Sequence, residues 1–156
     1  MMKMTVNGTE HVLDPEPREL LIHTLREQFK QTGPHVGCDT GTCGACTVVM
    51  DGKLIKSCTV FTVQCDGSSV TTIEGTYDSE VHENVRQALQ KHGGVQCGYC
   101  TPGMVMTGAY LIHHDKVVDR DKVNAGLKGN LCMCTGYAQI VDAVVSVAEQ
   151  VNGDAK

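Results

Sequence analysis

Several features that would assign this chain to a common functional class are missing from its sequence. The net charge is −5, which argues against a nucleic-acid partner because such partners are bound by basic surfaces. No run approaches the roughly 20 apolar residues of a membrane-spanning helix, so no membrane span is predicted. The first residues contain no apolar core of a signal peptide, and we therefore expect a cytoplasmic location.

Catalytic signatures are missing as well. The sequence has no GxGxxG motif, so any flavin or nicotinamide must be bound by another chain. The acidic residues show no pairing for general acid–base chemistry, and no Ser-His-Asp set is suggested. We therefore assign no catalytic residue and no bond-breaking step to this chain. Its 156 residues are enough for one ordinary domain or two small ones.

Cysteine is the residue that the sequence has in excess, with nine copies. In a reducing cytoplasm, this density indicates metal or redox chemistry and not a disulfide framework. An odd number fits eight metal ligands and one additional thiol. Cys65 lies outside both cysteine groups described below, and we expect it to be a buried bystander.

The first half of the chain has the pattern of a small sheet with one helix. Asn7-Gly8 and Asp51-Gly52 each separate two short strand-like runs and are strong signals for hairpins. Apolar residues at helical spacing predict an amphipathic helix over residues 18–30. A further strand is expected at residues 70–73, which gives an α+β domain built mostly from hairpins.

The second half is predicted to be helical. Its composition and periodicity favour a bundle of four helices, over residues 80–92, 102–114, 120–128 and 137–151. The pattern changes near residues 75–79. We therefore predict two domains, 1–76 and 77–156.

The first cysteine group has the spacing C-x4-C-x2-C-x11-C and consists of Cys38, Cys43, Cys46 and Cys58. Its first three members match the spacing of plant-type ferredoxins, which bind a [2Fe–2S] cluster. The glycines at positions 37, 41 and 44 allow positive φ and a tight wrap. Such a loop can turn its N–H groups toward an anion. Zinc is the weaker interpretation, because zinc sites usually use paired C-x2–4-C knuckles.

The second cysteine group has the spacing C-x2-C-x31-C-x-C and consists of Cys97, Cys100, Cys132 and Cys134. Spacing alone leaves zinc open for this group. Each pair comes shortly before a predicted helix, and Thr101 and Pro102 suit the N-cap and first helical positions. Two helix N-termini at one site would favour an anionic cluster.

Three segments carry a resemblance to a known family: GCDTGTCGACTV at 37–48, QCGYCTPGM at 96–104 and GNLCMCTGY at 129–137. They resemble the signature segments of the iron–sulfur subunit of molybdenum hydroxylases, the xanthine oxidase family. The similarity extends from about residue 3 to residue 150. Residues 21–28 and 56–59 look most like the small subunit of aerobic carbon monoxide dehydrogenase. Aldehyde and N-heterocycle dehydrogenases are nearly as similar.

The resemblance implies a β-grasp, ferredoxin-like N-terminal domain followed by a four-helix C-terminal domain, each with one [2Fe–2S] cluster. The first cysteine group would hold the cluster nearer to FAD in a medium partner subunit. The second group would hold the cluster nearer to the molybdenum cofactor of a large subunit. Gln96 and Cys134 would lie against the pterin of that cofactor. The implied assembly is a heterotrimer or a dimer of heterotrimers, in which this chain relays electrons from molybdenum to FAD.

One residue departs from the family pattern. Members commonly have Arg between the last two cysteines, whereas this chain has Met133. We expect the missing cation to lower the reduction potential of the second cluster somewhat.

A stand-alone two-cluster ferredoxin and a zinc-stabilised interaction module are the alternatives to the subunit interpretation.

Overall fold

The computed structural model describes residues 1–76, 79–116 and 119–153. A five-stranded sheet occupies the first half of the chain, and helices occupy the second half. This arrangement confirms the predicted α+β class. None of the described helices has the length and apolar character needed to cross a membrane.

Two antiparallel hairpins provide four of the five strands: β1 (Met2–Val6), β2 (Thr9–Leu13), β3 (Thr47–Met50) and β4 (Lys53–Lys56). Both turns have left-handed φ at their two central residues. The φ angles are 50° at Asn7 and 81° at Gly8, and 49° at Asp51 and 78° at Gly52. These values suit the tight turns that match the twist of a hairpin, and both predicted hairpins are confirmed.

The fifth strand, β5 (Ser69–Thr71), joins the two hairpins into one sheet with the order β2-β1-β5-β3-β4. It runs parallel to β1 and antiparallel to β3, so the sheet is mixed and not only a set of hairpins. The strand ends earlier than predicted, because the N–H of Thr72 donates to the Asn7 side chain at 2.9 Å and Ile73 begins a short 3-10 turn.

The predicted helix over residues 18–30 is shorter and less regular than expected. It consists of α1 (Leu21–His23) and a wider π-helical turn, Thr24–Gln28. Leu20 is extended and forms a β-bridge with Phe61, so the helix cannot begin before Leu21. The start of this helix is therefore decided by a long-range contact that the local apolar pattern does not contain.

The four predicted helices are all present: α2 (Glu80–Lys91), α3 (Thr101–His113), α4 (Arg120–Gly126) and α5 (Ala138–Gly153). Helix α3 is buried on most of its surface and contacts the other three helices as well as β3. Met104 and Met106 of this helix are buried in the protein core, as predicted. The helix begins at Thr101, so Cys100 and not Thr101 occupies the N-cap position.

Two remaining predictions have different outcomes. Cys65 is fully buried in the sheet core, with its thiol 3.8 Å from the sulfur of Met50, as expected for a bystander. The predicted boundary between domains 1–76 and 77–156 falls beside Tyr77 and Asp78, which lie outside the described residues. That boundary stays a prediction.

Candidate metal centres

The first cysteine group comes together around the loop between α1 and β3. Cys38, Cys43 and Cys46 lie on this loop, and Cys58 lies in the 3-10 turn that follows β4. Besides burial, the neighbouring thiol of Cys38 raises the pKa of Cys43, and the neighbouring thiol of Cys58 raises the pKa of Cys46. The charge of Cys43 also acts to raise the pKa of Cys46, so the two pairs lie close together. We call this set of four thiols the first site.

Backbone N–H groups converge on one thiol of the first site. The N–H groups of Thr40, Thr42 and Cys43 lie 3.4, 3.3 and 3.3 Å from the sulfur of Cys38. Hydrogen bonds from the hydroxyl and backbone of Thr40, and from the backbone of Cys43, lower the pKa of Cys38 to about 6. The loop thus stabilises a thiolate through its own backbone, as expected for a nest of N–H groups.

Two glycines of this loop serve different purposes. Gly44 has a left-handed φ of 70°, and a side chain there would collide with the carbonyl oxygen of Gly129. Gly37 does not have a left-handed φ, in contrast to the expectation from sequence. A Cβ on Gly37 would lie 2.9 Å from the sulfur of Cys43, so this glycine provides room for a thiol.

The first site has an outer pair and an inner pair of thiols. Cys46 and Cys58 are only 2% and 6% exposed and pack beside Ile22. Burial is the main cause that raises the pKa of Cys46 to about 11. Since metals bind thiolates, occupation of the inner pair must release protons. The outer pair, Cys38 and Cys43, is more open to solvent.

The second cysteine group is also arranged in two pairs. The sulfurs of Cys97 and Cys134 lie 3.5 Å apart, and both residues are exposed. The thiols of Cys100 and Cys132 interact in the same way and are partly buried. Cys97 and Cys100 come just before α3, and Cys132 and Cys134 precede α5. We call these four thiols the second site.

Burial and hydrogen bonding act in opposite directions on the inner pair of the second site. Burial, followed by the neighbouring thiol of Cys132, raises the pKa of Cys100 to about 12. Burial also opposes ionisation of Cys132, but hydrogen bonds outweigh it and lower the pKa of that thiol. The strongest of these bonds comes from the Thr135 hydroxyl, 3.2 Å from the sulfur of Cys132.

Tyr137 fixes the second-site loop, a role that the sequence analysis did not identify. Its hydroxyl accepts from the N–H of Cys132 at 2.8 Å and donates to the carbonyl of Asn130 at 3.2 Å. Gly136 and Tyr137 both have left-handed φ, 70° and 74°. These two residues turn the chain into α5 and leave the tyrosine ring against the loop that it holds.

The two loops contact each other through a buried amide. Asn130 is 4% exposed, and its side chain donates to the carbonyl of Gly44 at 3.2 Å and accepts from the Thr107 hydroxyl at 3.0 Å. Beside it, the N–H of Leu131 donates to the carbonyl of Cys43 at 2.8 Å. Cys43 of the first site is thereby hydrogen-bonded to Leu131, which directly precedes Cys132 of the second site.

A second connection runs through Tyr99, which lies between Cys97 and Cys100. Its hydroxyl donates to the carbonyl of Val36 at 2.8 Å, next to the first loop. The His35 ring stacks on the tyrosine ring at 4.4 Å, and its Nδ1 lies 2.8 Å from the Tyr99 carbonyl. The two sites are therefore held in a fixed relation by contacts on both sides.

The donor chemistry of both sites suits a [2Fe–2S] cluster. Such a cluster takes four cysteine thiolates, two on each iron, and its sulfides complete the coordination. Each site offers four cysteines arranged in two pairs. Within the described ranges, no group of three or more His, Cys, Asp or Glu side chains is arranged to hold a metal ion by itself.

Comparison with known proteins identifies the family. A "2Fe-2S iron-sulfur cluster binding domain" matches residues 4–68, and a "[2Fe-2S] binding domain" matches residues 72–145. The xanthine dehydrogenase iron-sulfur-binding subunit of Escherichia coli is 38% identical over 146 residues, covering 92% of this chain and 91% of the relative. The chain is an iron–sulfur subunit of the molybdenum hydroxylase family. The predicted family and its electron-transfer function are thus confirmed.

Two solved structures agree with this assignment. Quinoline 2-oxidoreductase from Pseudomonas putida 86 has a TM-score of 0.87 and 37% identity, covering 97% of the iron–sulfur subunit and 95% of the matched chain. Aldehyde oxidoreductase from Desulfovibrio gigas has a TM-score of 0.88 and 38% identity, covering 99% of the subunit but only 18% of the longer chain. The finer likeness to carbon monoxide dehydrogenase stays a prediction.

Replacement of Gly37 by alanine tests the space that the first site needs. In Gly37→Ala, the new methyl group would meet the sulfur of Cys43 at 2.9 Å. We expect first-site assembly to fail while the second site fills, so that iron and acid-labile sulfide per chain fall by about half. Both are measured by chemical analysis of the purified subunit.

Gly129→Ala is the matched control for this variant. Gly129 lies beside the same loops, has no left-handed φ, and a Cβ there would meet only the Lys56 side chain, at an ordinary 3.6 Å. We expect it to keep full iron content. Full iron in Gly37→Ala, or an equal loss in both variants, would contradict the proposed need for space at Gly37.

Proposed function

We propose that each of the two sites holds one [2Fe–2S] cluster, with each thiol pair binding one iron. The pairs are Cys38 with Cys43, Cys46 with Cys58, Cys97 with Cys134, and Cys100 with Cys132. The observation that carries this proposal is the pairwise approach of the thiols, which in three of the four pairs joins separate segments of the chain. When bound, the clusters supply reversible one-electron transfer.

The surface around the second site supports contact with a partner subunit. Met133 is 96% exposed and Tyr99 is 48% exposed, and Leu131 is also exposed. Met133 directly precedes Cys134 in the chain, and Tyr99 lies between Cys97 and Cys100, so these apolar side chains are close in sequence to the exposed thiols of Cys97 and Cys134. Exposed apolar patches of this kind mark interaction sites. We propose that this surface meets a large subunit that binds the molybdenum cofactor.

Gln96 is exposed and directly precedes Cys97. Its side chain is therefore available to a group outside this chain, which supports the proposal that Gln96 and Cys134 lie against the pterin of the cofactor. An amide can both donate and accept hydrogen bonds, as recognition of a pterin ring edge requires. We propose these two residues as the contact between the second site and the molybdenum cofactor.

The assembly that we propose also contains an FAD-binding medium subunit. The chain corresponds to 18% of the single-chain aldehyde oxidoreductase, so in that protein the same unit is part of a much larger polypeptide. We propose that here the remaining parts are separate chains, in a heterotrimer or a dimer of heterotrimers. The iron–sulfur subunit would carry electrons from the large subunit through the second site, then the first site, to FAD.

Two further assignments belong to this proposal. We propose the domain division 1–76 and 77–156; two separate family matches, over residues 4–68 and 72–145, support the division into two domains, with the change a few residues before the proposed boundary. We also propose a cytoplasmic location. This proposal is supported by the need of the eight proposed ligand thiols for a reducing compartment, in which disulfides are rare.

Single cysteine replacements test the assignment of the ligands. In the subunit with both clusters assembled and reduced, we expect two distinct spin-one-half EPR signals. Cys58→Ser should alter or abolish one signal and Cys100→Ser the other, because each removes a thiolate from a different site. Cys65→Ser is the matched control and should change neither. A single signal in the unmodified subunit would contradict the two-cluster assignment.

The partner proposal is tested by purification of the subunit from its native source under mild conditions. We expect two larger chains to accompany it, one containing molybdenum and pterin and the other containing FAD. Metal analysis and the absorption of released flavin measure these groups. Recovery of a red-brown subunit that is alone and fully active in electron transfer would contradict the assembly.

Met133 allows a test of the second cluster alone. In Met133→Arg, a cation is placed one residue from two proposed ligands, and it should stabilise the reduced, more anionic cluster. We expect the midpoint potential of the second cluster to rise while that of the first is unchanged. An EPR-monitored redox titration measures both. An unchanged midpoint potential of the second cluster would contradict the expectation that the lack of a cation at position 133 lowers that potential.

A further inference from the structure

Lys56 makes an unusual contact with the first-site loop. It is the last residue of β4, and its ammonium group donates to the carbonyl of Gly41 at 2.6 Å and lies 3.4 Å from that of Thr42. Both carbonyls belong to the part of the loop between Cys38 and Cys43. The lysine thus connects a strand of the sheet to the loop that wraps the first site.

The two peptide groups that Lys56 contacts are the same ones that point at a proposed ligand. The carbonyl of Gly41 and the N–H of Thr42 belong to one peptide unit, and the carbonyl of Thr42 and the N–H of Cys43 belong to the next. Both N–H groups lie 3.3 Å from the sulfur of Cys38. Because C=O and N–H point in opposite directions in a trans peptide, each unit has Lys56 at one end and the sulfur at the other.

Through these two peptide groups, the positive charge of Lys56 acts on the first site. A cation at the carbonyl end polarises a peptide group and strengthens the hydrogen bond that its N–H donates. Hydrogen bonds to cluster sulfurs and nearby positive charge both favour the reduced, more anionic cluster. Among the described residues, Lys56 takes part in none of the ion pairs, so its ammonium group has no direct carboxylate partner there.

We propose that Lys56 is a positioning residue that raises the reduction potential of the first cluster and holds its loop closed. The proposal rests on the proposed function, since it requires a cluster at the first site. It predicts an effect on one cluster only. The exposed Lys128 lies near the second site in sequence but makes no comparable contact among the described residues.

The test uses the full subunit with both clusters assembled and three variants. Lys56→Gln removes the charge, and Lys56→Arg keeps it. Lys53→Gln is the matched control, because Lys53 is the first residue of the same strand and is exposed. The midpoint potentials of both clusters are measured by EPR-monitored redox titration, with Cys58→Ser identifying the signal of the first site.

In Lys56→Gln, we expect the ratio of reduced to oxidised first cluster at a fixed potential to fall about tenfold. This corresponds to a midpoint potential that is lower by about 59 mV for a one-electron couple. Lys56→Arg should retain most of the original ratio, and Lys53→Gln should retain all of it. The second cluster should be unchanged in every variant. Loss of the first cluster alone in Lys56→Gln, with retention in Lys56→Arg, would support the same role.

Four outcomes would overturn the proposal. The first three are an unchanged first-cluster potential in Lys56→Gln, an equal shift in Lys53→Gln, and an equal effect on both clusters. The fourth is loss of the first cluster in both Lys56 variants, which would show that the length of lysine and not its charge is needed. Failure of the proposed function can be distinguished from failure of the Lys56 proposal, because in that case the unmodified subunit would not show two EPR signals.

Discussion

The close approach of two backbone segments, at Gly44 and Gly129, is the constraint on which both sites depend. A side chain on Gly44 would collide with the Gly129 carbonyl, so the loops can meet only because this residue is glycine. The contact is completed by the buried amide of Asn130 and by the Leu131 N–H on the Cys43 carbonyl. A buried amide with satisfied donors and acceptors specifies one arrangement, since any other leaves polar groups unpaired.

The two sites share one design, although their sequences differ. Each has an inner thiol pair that is shielded by the core and an outer pair that is more exposed. In the first site the backbone of the loop stabilises the outer thiol of Cys38, whereas in the second the Thr135 hydroxyl acts on the inner thiol of Cys132. The first site is wrapped by its own loop, while the second presents Cys97 and Cys134 at the surface. This difference is in the exposure of the outer thiols, which are partly buried in the first site and exposed in the second.

Much of the fold could be predicted because its signals are local. The dipeptides Asn7-Gly8 and Asp51-Gly52 require left-handed φ, and both form the expected hairpin turns. The helices of the second half follow from periodicity over long segments. The helix expected at residues 18–30 was wrong in extent, because the β-bridge between Leu20 and Phe61 overrides local preference. The parallel pairing of β5 with β1 likewise depends on residues far apart in the chain.

The sequence by itself determined the two cysteine groups, the glycine-rich loop and the family, because ligand spacing and short motifs are written locally. Only the tertiary structure decided how the thiols pair, which of them are buried, and which other residues act on them. No motif predicts the contacts of Lys56, and the signature segment that contains Asn130 and Tyr137 does not show what their side chains contact. Folding brings Lys56 and Asn130 against a loop that is farther away in the chain, whereas Tyr137 turns back onto the segment just before it.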